Sequence, residues 1–245
     1  MRAESSVRLL RRLDDHIDDD SPRVWVIDLD DPTGLAIPAV PDLPSGVGAS
    51  PPDQAVVRRR RMAMSKYLTL NLLAQLAGVA ATELHLTTDD HGRPAVDLDS
   101  SPANWRARAL DFSVAHADNV FAIGVTFEGR IGVDVETFLP DEMLSSASSA
   151  VLTAAEAKWI KSLSADERPL AFLKAWTAKE ALVKAVGLGA SFGMGLVETT
   201  TREDGALRIA RLNESEQLAA GWNLEHQALV VGASKAVVAV VTSRV

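Results

Sequence analysis

Apolar side chains recur every four residues in one segment of the N-terminal half. They are Met64, Leu68, Leu72 and Leu76. This spacing would place them on one face of a helix. Asp53 precedes the segment as a candidate N-cap, and Gly78 follows it as a C-terminal stop. The sequence therefore predicts a helix between Asp53 and Gly78.

Short runs of β-branched and aromatic residues predict strands. The runs after the helix are ELHLT at 83–87, DFSVAH at 111–116, NVFAIGVTF at 119–127 and RIGVDVE at 130–136. Residues 89–92 predict a turn, and Glu128-Gly129 predicts a tight turn between the last two runs. Further strands are predicted by VWVIDL at 24–29, LRIARL at 207–212 and KAVVAVVTS at 235–243.

Two more helices are predicted after residue 140. Thr153 and Glu156 form a capping-box pattern at the start of AAEAKWIKSL. Pro169 lies near the start of a longer helical segment that ends at Gly187. The order helix, strands, helices, strands predicts an α+β protein made of two similar α+β halves, 1–129 and 130–245.

Two segments are predicted to lack regular structure. Residues 1–22 alternate Arg-rich and Asp-rich pieces, so we expect fraying there. Residues 32–52 hold six of the eleven prolines and predict a long loop. Long ordered loops are often functional.

Composition narrows the classes of function. The chain has 245 residues, 33 acidic and 25 basic, and a formal net charge of −8. A nucleic-acid binder is disfavoured, because phosphate neutralisation needs many clustered Lys and Arg side chains. The absence of cysteine excludes disulfides, thiolate nucleophiles and Cys-ligated zinc. With no signal-peptide pattern and no run of eighteen apolar residues, we expect a soluble, cytoplasmic protein that binds no membrane.

Several common catalytic motifs are missing from the sequence. It has no G-x-x-x-x-G-K-[ST], H-E-x-x-H or G-x-S-x-G pattern. In GLGASFGMG at 187–195, Phe192 occupies the third glycine position of a dinucleotide-binding loop, and the stretch follows a helix. The usual nucleotide-binding, zinc-protease and serine-hydrolase classes therefore have no support.

Two carboxylates stand two residues apart in the run at 131–136. Strand alternation would send the apolar side chains to the core and direct Asp134 and Glu136 together to the opposite face. Gly132 is expected to leave open space beside them. A hard divalent cation can use such a pair, and the alternative is an ordinary acidic face on a half-exposed strand.

A second cluster lies in the long C-terminal helix. Trp176, Glu180 and Lys184 are spaced i, i+4, i+8 and share one stripe, with Lys179 beside it. The alternative is a surface ion pair between Glu180 and Lys184.

Four motifs, in this order, resemble those of the 4′-phosphopantetheinyl transferases of the surfactin-synthetase-activating type. They are Gly92-Arg93-Pro94, Phe112-Ser113-Val114-Ala115-His116, the Gly132-Val133-Asp134-Val135-Glu136 strand and the helix from Trp176 to Lys184. The resemblance implies the pseudo-twofold fold of that family, with the active site in the cleft between the halves. It also implies that 1–129 lies on the side of the CoA 3′-phosphate and that 130–245 carries the metal ligands and the catalytic helix.

The resemblance implies transfer of the phosphopantetheine arm of coenzyme A to a serine of an apo acyl or peptidyl carrier protein. Adenosine 3′,5′-bisphosphate would be released. The implied cofactor is Mg²⁺, bound by Asp134, Glu136 and Glu180. Such a transfer depends on charge neutralisation and positioning more than on covalent catalysis.

Roles for the remaining candidates follow from the same resemblance. Lys184 would stabilise or protonate the leaving oxygen, and Lys179 is a second candidate for the phosphates. Glu180 or Glu156 would take the serine proton, while the alternative for Glu156 is a capping residue only. The CoA phosphates would be bound by a cationic set made of Arg58, Arg61, Arg93, His116, Lys179 and Lys184. For the arginines of 58–61 the alternative is a solvated helix face.

Partners and competing functions remain open at this point. The carrier could belong to fatty-acid, polyketide or nonribosomal peptide synthesis, and residues 141–160 are a candidate docking surface. Two halves in one chain favour a monomer. The competing functions are a metal-dependent hydrolase of the CoA pyrophosphate and a CoA-binding module without catalysis.

Overall fold

Two β-sheets lie face to face, and each is covered on its outer side by a long helix. The computed structural model describes residues 8–10, 21–31, 53–101, 108–138, 148–189, 192–213, 215 and 219–243. The helices are α1 (Gln54–Ala77), α2 (Ala154–Ser162) and α3 (Arg168–Val186). The strands are β1 (Arg8–Leu10), β2 (Arg23–Asp28), β3 (Leu86–Thr88), β4 (Pro94–Val96), β5 (Asp111–Ala117), β6 (Val120–Thr126), β7 (Ile131–Thr137), β8 (Val197–Thr201), β9 (Leu207–Leu212), β10 (Trp222–Val231) and β11 (Ser234–Ser243).

Each half of the chain supplies one main sheet. The first has the strand order β1-β2-β6-β5, in which β1 and β2 are parallel and the other neighbours antiparallel. The second is antiparallel with the order β10-β11-β7. Two hairpin pairs, β3–β4 and β8–β9, lie outside these sheets.

Strand alternation explains the layers. In β2, Trp25 and Ile27 pack with α1, whereas Val24 and Val26 belong to the cluster shared with the second sheet. The central strands are therefore buried on both faces and read as continuous apolar runs, as β6 does. On the far side of the second sheet, residues of β11 pack against α3.

The helix ends follow the predicted signals. The side chain of Asp53 caps α1, and Gly78 ends it in the left-handed conformation with φ 70°. The capping box of Thr153 and Glu156 begins α2. Gly187 ends α3 with φ 79°. These signals are local, so the sequence alone was enough to place them, and the α+β class is confirmed.

The chain turns at Glu128-Gly129 as predicted, and the strands on the two sides of this turn do not pair with each other. Residues 127–129 bend, and Gly129 has φ 74°. β7 pairs with β11, while β6 pairs with β2 and β5. The turn therefore carries the chain from one sheet to the other, since the apolar face of β7 is needed between the two sheets.

Other differences concern segments without a clear pattern. The predictions did not include β4, which is only three residues long and begins with a proline, or β8 and β10, whose sequences mix polar and apolar residues. Within the segment expected to fray, Arg8–Leu10 pairs with β2, and the rest up to residue 20 lies outside the described residues. The whole predicted loop at 32–52 and residues 141–147 of the candidate docking surface also lie outside them. Among the described helices, none combines the length and apolar character needed to cross a membrane.

Candidate active site

A close approach of α3 to β7 creates the site. A Cβ atom added to Gly132 would lie 1.9 Å from the backbone oxygen of Ala181 and 2.6 Å from the backbone nitrogen of Ala185. The expectation of open space beside the two carboxylates is therefore wrong, because the backbone of α3 fills it. Only glycine permits this contact, and it places Glu180 and Lys184 over the polar face of β7.

Asp134 is a buried acid paired with a lysine. Asp134 is 5% exposed. The Lys184 ammonium donates a hydrogen bond to Asp134 Oδ1 at 2.7 Å. The second carboxylate oxygen, Oδ2, is buried without a hydrogen-bond partner. Burial raises the pKa of Asp134 to about 6 against the opposing charge of Lys184, and the negative charge of Glu180 adds to the rise.

Glu136 responds to the same charges. Burial raises the pKa of Glu136 to about 7, and repulsion by Asp134 is the next cause. Glu180 and Asp118 raise it further, while Lys184 lowers it. The three predicted metal ligands are thus close enough to repel one another, and one of them faces a lysine.

The donor set fits a hard cation in its chemistry. Carboxylate oxygens are the ligands that Mg²⁺ prefers, and an unpartnered buried oxygen on Asp134 is costly without a positive partner. Among the described residues, no three His, Asp or Glu side chains are grouped closely enough to hold a metal ion as they stand. The charges still interact, since Glu180 acts on Asp134, and both Asp134 and Glu180 act on Glu136.

Glu156 and Lys179 form a separate buried ion pair. They are 1% and 0% exposed, with 2.6 Å between Lys179 Nζ and Glu156 Oε2. Lys179 also donates to the backbone oxygens of Val151 and Met194. These three acceptors use all three donors of its ammonium. Burial lowers the pKa of Lys179, and the Glu156 charge opposes this.

The other contacts of Glu156 are also internal. Its Oε2 accepts from the backbone of Thr153 at 2.7 Å, and its Oε1 accepts from both the backbone and the hydroxyl of Thr199 at 2.7 Å. The carboxylate thus joins the start of α2 to β8. The structure does not bring Glu156 or Lys179 into contact with the carboxylates around Asp134.

The predicted phosphate-binding arginines are in different environments. Arg58 is exposed near the start of α1. Arg61 donates through two nitrogens to Asp30, at 3.0 and 2.5 Å. The hydrogen bond to Asp30 raises the pKa of Arg61, with smaller contributions from the charges of Asp118 and Asp28. Any anion that uses Arg61 must compete with Asp30.

Arg93 does not face solvent as a phosphate ligand would. Its side chain is 10% exposed and forms a two-pronged ion pair with Asp111, both distances being 2.8 Å. Arg93 Nη2 also donates to the backbone oxygens of Phe112 and Ile131. The guanidinium therefore lies inside the contact between β5 and β7.

His116 lies on β5 near the acidic group. Its ring centroid is 5.9 Å from that of Phe121. Burial and the nearby charge of Lys184 lower the pKa of His116, so the ring is neutral at pH 7. The site thus collects residues from β5, β7 and α3.

Sequence reasoning missed the partners that decide these environments. Asp111 receives Arg93 eighteen residues away, Asp30 holds Arg61, and Asp118 acts on Glu136. For Asp111, the only signal in the sequence was its place as an acidic residue at the start of the predicted strand DFSVAH. Pairing over such separations follows from the tertiary fold and not from spacing.

The family model and the curated relatives that match this chain are all named as 4′-phosphopantetheinyl transferases. Residues 130–241 match the model of the 4′-phosphopantetheinyl transferase superfamily. The Synechocystis protein slr0495, provisionally named as such a transferase, is 27% identical over 72% of this chain and 69% of its own length. The transferase HetI of Nostoc is 25% identical over 54% of this chain and 53% of its length, and psf-1 of Bacillus pumilus is 21% identical over 66% and 64%.

Solved structures give a partial match. A holo-(acyl-carrier-protein) synthase from Bacillus anthracis, in complex with CoA (3′,5′-ADP), is 21% identical and covers 47% of this chain and 96% of its own, with a TM-score of 0.37. The Thermotoga maritima synthase covers 47% of this chain and 64% of its own at 16% identity and a TM-score of 0.35. The family model and the curated relatives support the 4′-phosphopantetheinyl transferase superfamily, and they do not distinguish the surfactin-synthetase-activating type.

Proposed function

We propose that this chain transfers the 4′-phosphopantetheine arm of coenzyme A to a serine of an acyl or peptidyl carrier protein, as an enzyme of the surfactin-synthetase-activating type. The observation that carries the proposal is the buried Asp134, grouped with Glu136 and Glu180 and paired with Lys184. The superfamily match over 130–241 spans all four residues. The reaction would release adenosine 3′,5′-bisphosphate.

Asp134, Glu136 and Glu180 would hold Mg²⁺. The ion, when bound, supplies Lewis-acid polarisation of a pyrophosphate and neutralises its charge. The mutual repulsion that raises the pKa values of Asp134 and Glu136 favours binding of a cation, because a positive charge relieves it. The unpartnered Asp134 Oδ2 would gain a partner in the same step.

Lys184 would act on the leaving group. Its side chain is 30% exposed, so the ammonium reaches solvent while it contacts Asp134. A protonated lysine at this position can donate a hydrogen bond to a phosphate oxygen as negative charge develops there. Its pairing with Asp134 holds it at the site before substrate arrives.

Glu180 is the proposed base for the carrier serine. It is partly exposed on α3, beside the acidic group. Glu156 is a poor choice, because each of its carboxylate oxygens is engaged in the interior and the side chain is 1% exposed. A base must lie within hydrogen-bond reach of the proton that it removes.

Arg58 and His116 are the proposed ligands of the CoA 3′-phosphate. Arg58 is exposed, and the neutral ring of His116 can donate one hydrogen bond to an anion. Arg61 would contribute once a phosphate displaces Asp30. This assignment places the nucleotide on the 1–129 half and the transfer chemistry on the 130–245 half, within one monomer.

The test measures release of adenosine 3′,5′-bisphosphate from CoA with Mg²⁺, in the presence and absence of apo carrier proteins of several types. Transfer predicts release only with a carrier. Release without a carrier would replace the proposal by pyrophosphate hydrolysis, and tight CoA binding without release under any condition would replace it by a binding module.

A further inference from the structure

The contact between β5 and β7 is made by side chains. Neither strand belongs to the other's sheet, and among the described residues no backbone ladder joins them. Instead, the Asp111 carboxylate accepts from the backbone nitrogen of Ile131 at 2.8 Å, and the Ser113 hydroxyl accepts from that of Val133 at 3.0 Å. These two bonds lie at the start of the strand that carries Asp134 and Glu136.

Arg93 completes this contact. Its guanidinium binds Asp111 at two points and donates to the backbone oxygens of Phe112 at 3.1 Å and Ile131 at 2.9 Å. One side chain therefore contacts the first residues of both strands. Asp111 is 16% exposed and Arg93 10% exposed, so the pair is largely withdrawn from solvent.

The turn before β4 fixes the position of Arg93. The Asp89 carboxylate accepts from the backbone nitrogens of His91 and Arg93 at 2.9 Å, and the backbone of Asp89 donates to the oxygen of Arg93. Gly92 adopts φ 80°, and Pro94 follows. The Gly-Arg-Pro motif is thus a rigid turn that directs an arginine inward.

We propose that Arg93 and Asp111 are positioning residues that set the place of β7 relative to β5. The inference rests on the proposed transferase function, since it concerns the reaction at Asp134 and Glu136. The pair fixes Ile131, three residues before Asp134, through both its backbone nitrogen and oxygen. β5 carries His116 on the other side of this contact. The pair therefore aligns the phosphate-binding half with the half that carries the carboxylates.

This role differs from phosphate binding in a measurable way. A phosphate ligand contributes mainly to CoA affinity, whereas a positioning residue affects the rate of the bound complex. A displacement of about 1 Å in reacting groups can cost about 100-fold in rate. If Arg93 bound a phosphate, the negative charge of Asp111 beside it would weaken CoA binding. In the positioning role, Asp111 instead holds the guanidinium of Arg93 in place.

The experiment compares Arg93→Lys, Asp111→Asn and Ser113→Ala with the wild type. Lysine keeps the charge of Arg93 but lacks the planar fork that contacts Asp111 at two points. The readouts are kcat and KM for CoA with an apo carrier, the Kd of CoA by calorimetry, and hydrogen exchange of peptides covering 131–137. Arg211→Lys is the matched control, since Arg211 pairs with Glu198 on β8 and β9, away from this contact.

The positioning role predicts a loss of at least about tenfold in kcat for Arg93→Lys and Asp111→Asn, with the Kd of CoA within about threefold of the wild type. Exchange should become faster in 131–137, and Ser113→Ala should change the same quantities less. The control should match the wild type. If Arg93→Lys or Asp111→Asn fails to fold, the same measurements on Ser113→Ala test the proposal.

Two results would overturn the inference. One is a wild-type kcat in Arg93→Lys and Asp111→Asn. The other is a rise of tenfold or more in the Kd of CoA for Arg93→Lys, together with tighter binding in Asp111→Asn, which would make Arg93 a phosphate ligand. An inactive wild type would refute the proposed function instead, and hydrogen exchange would still report whether the pair holds β7.

Discussion

At the scale of single residues, the structure places the acids Asp134 and Glu156 in two different environments. Asp134 has an unpartnered buried oxygen and a raised pKa. Glu156 has a full set of internal partners. Both were candidates from the sequence, where only their spacing was visible. Burial and partners therefore decide their roles.

Asp134→Asn should abolish transfer and yet stabilise the metal-free protein at high pH. An unfolded aspartate ionises near pH 3.8, whereas Asp134 in the folded protein ionises near pH 6. Between these values the folded state holds the extra proton, so raising the pH favours unfolding of the wild type. The advantage of the variant should grow by roughly 3 kcal/mol between about pH 4 and pH 8.

Chemical denaturation of both proteins across this pH range measures the difference. Titrating groups that do not interact with Asp134 are common to the two proteins and cancel. Glu136 does not cancel, because loss of the Asp134 charge lowers the pKa of Glu136 in the variant and adds to the same growth. Glu128→Gln, which removes an exposed carboxylate from a turn, is the matched control for the loss of one acid. A variant advantage that shrinks as the pH rises would contradict the raised pKa of Asp134.

Glu156→Gln and Glu180→Gln should have opposite effects on stability and activity. Glu156→Gln leaves the buried Lys179 without its charge partner and should cost about 3–5 kcal/mol of unfolding free energy. Glu180→Gln removes a partly exposed acid from a repelling group, so the protein should stay folded while transfer is lost. Thermal unfolding and the transfer assay measure both; a stable Glu156→Gln variant without activity would return Glu156 to the role of base.

At the scale of elements, the site depends on how closely α3 approaches β7. Apolar residues spaced four apart, a capping box and terminal glycines predicted α1, α2 and α3, since these signals act within one or two helical turns. The pairing of β7 with β11 and the burial of Lys179 were not predictable in this way. Both depend on which elements meet in three dimensions.

Gly132→Ala should separate α3 from β7. The new Cβ would lie 1.9 Å from a backbone oxygen, which cannot move without the helix. We expect a loss of about 1–3 kcal/mol in stability, as for overpacking of a core, and a loss of transfer activity. Gly195→Ala is the matched control, because nothing lies within 4 Å of its added Cβ. Unfolding curves and activity that match the wild type in Gly132→Ala would show that α3 sits farther away.

At the scale of the whole molecule, the carboxylates of Asp134, Glu136 and Glu180 form a group of interacting negative charges in an acidic protein. The resemblance seen in the sequence located this group through Gly132, Asp134, Glu136 and Glu180. It did not reveal that Arg93, expected at a phosphate, joins β5 to β7 together with Asp111. The difference arises because Asp111 offers a fixed, partly buried partner for its guanidinium.

Stabilisation by Mg²⁺ should increase with pH. Asp134 and Glu136 must lose their protons to bind a cation, and their pKa values are raised to about 6 and about 7. The rise in melting temperature caused by Mg²⁺ should therefore be larger near pH 8 than near pH 5.5, and absent in Asp134→Asn. NaCl at equal ionic strength is the control. An equal rise at both pH values would place the cation elsewhere.

Intact mass spectrometry of an apo carrier protein tests the central claim most directly. After incubation with CoA, Mg²⁺ and this protein, the carrier should gain the mass of one phosphopantetheine arm. The gain should be absent with Asp134→Asn, with a chelator, or with a carrier whose acceptor serine is replaced by alanine. An unchanged carrier mass across acyl and peptidyl carriers, with folded wild-type protein that binds CoA, would contradict the account.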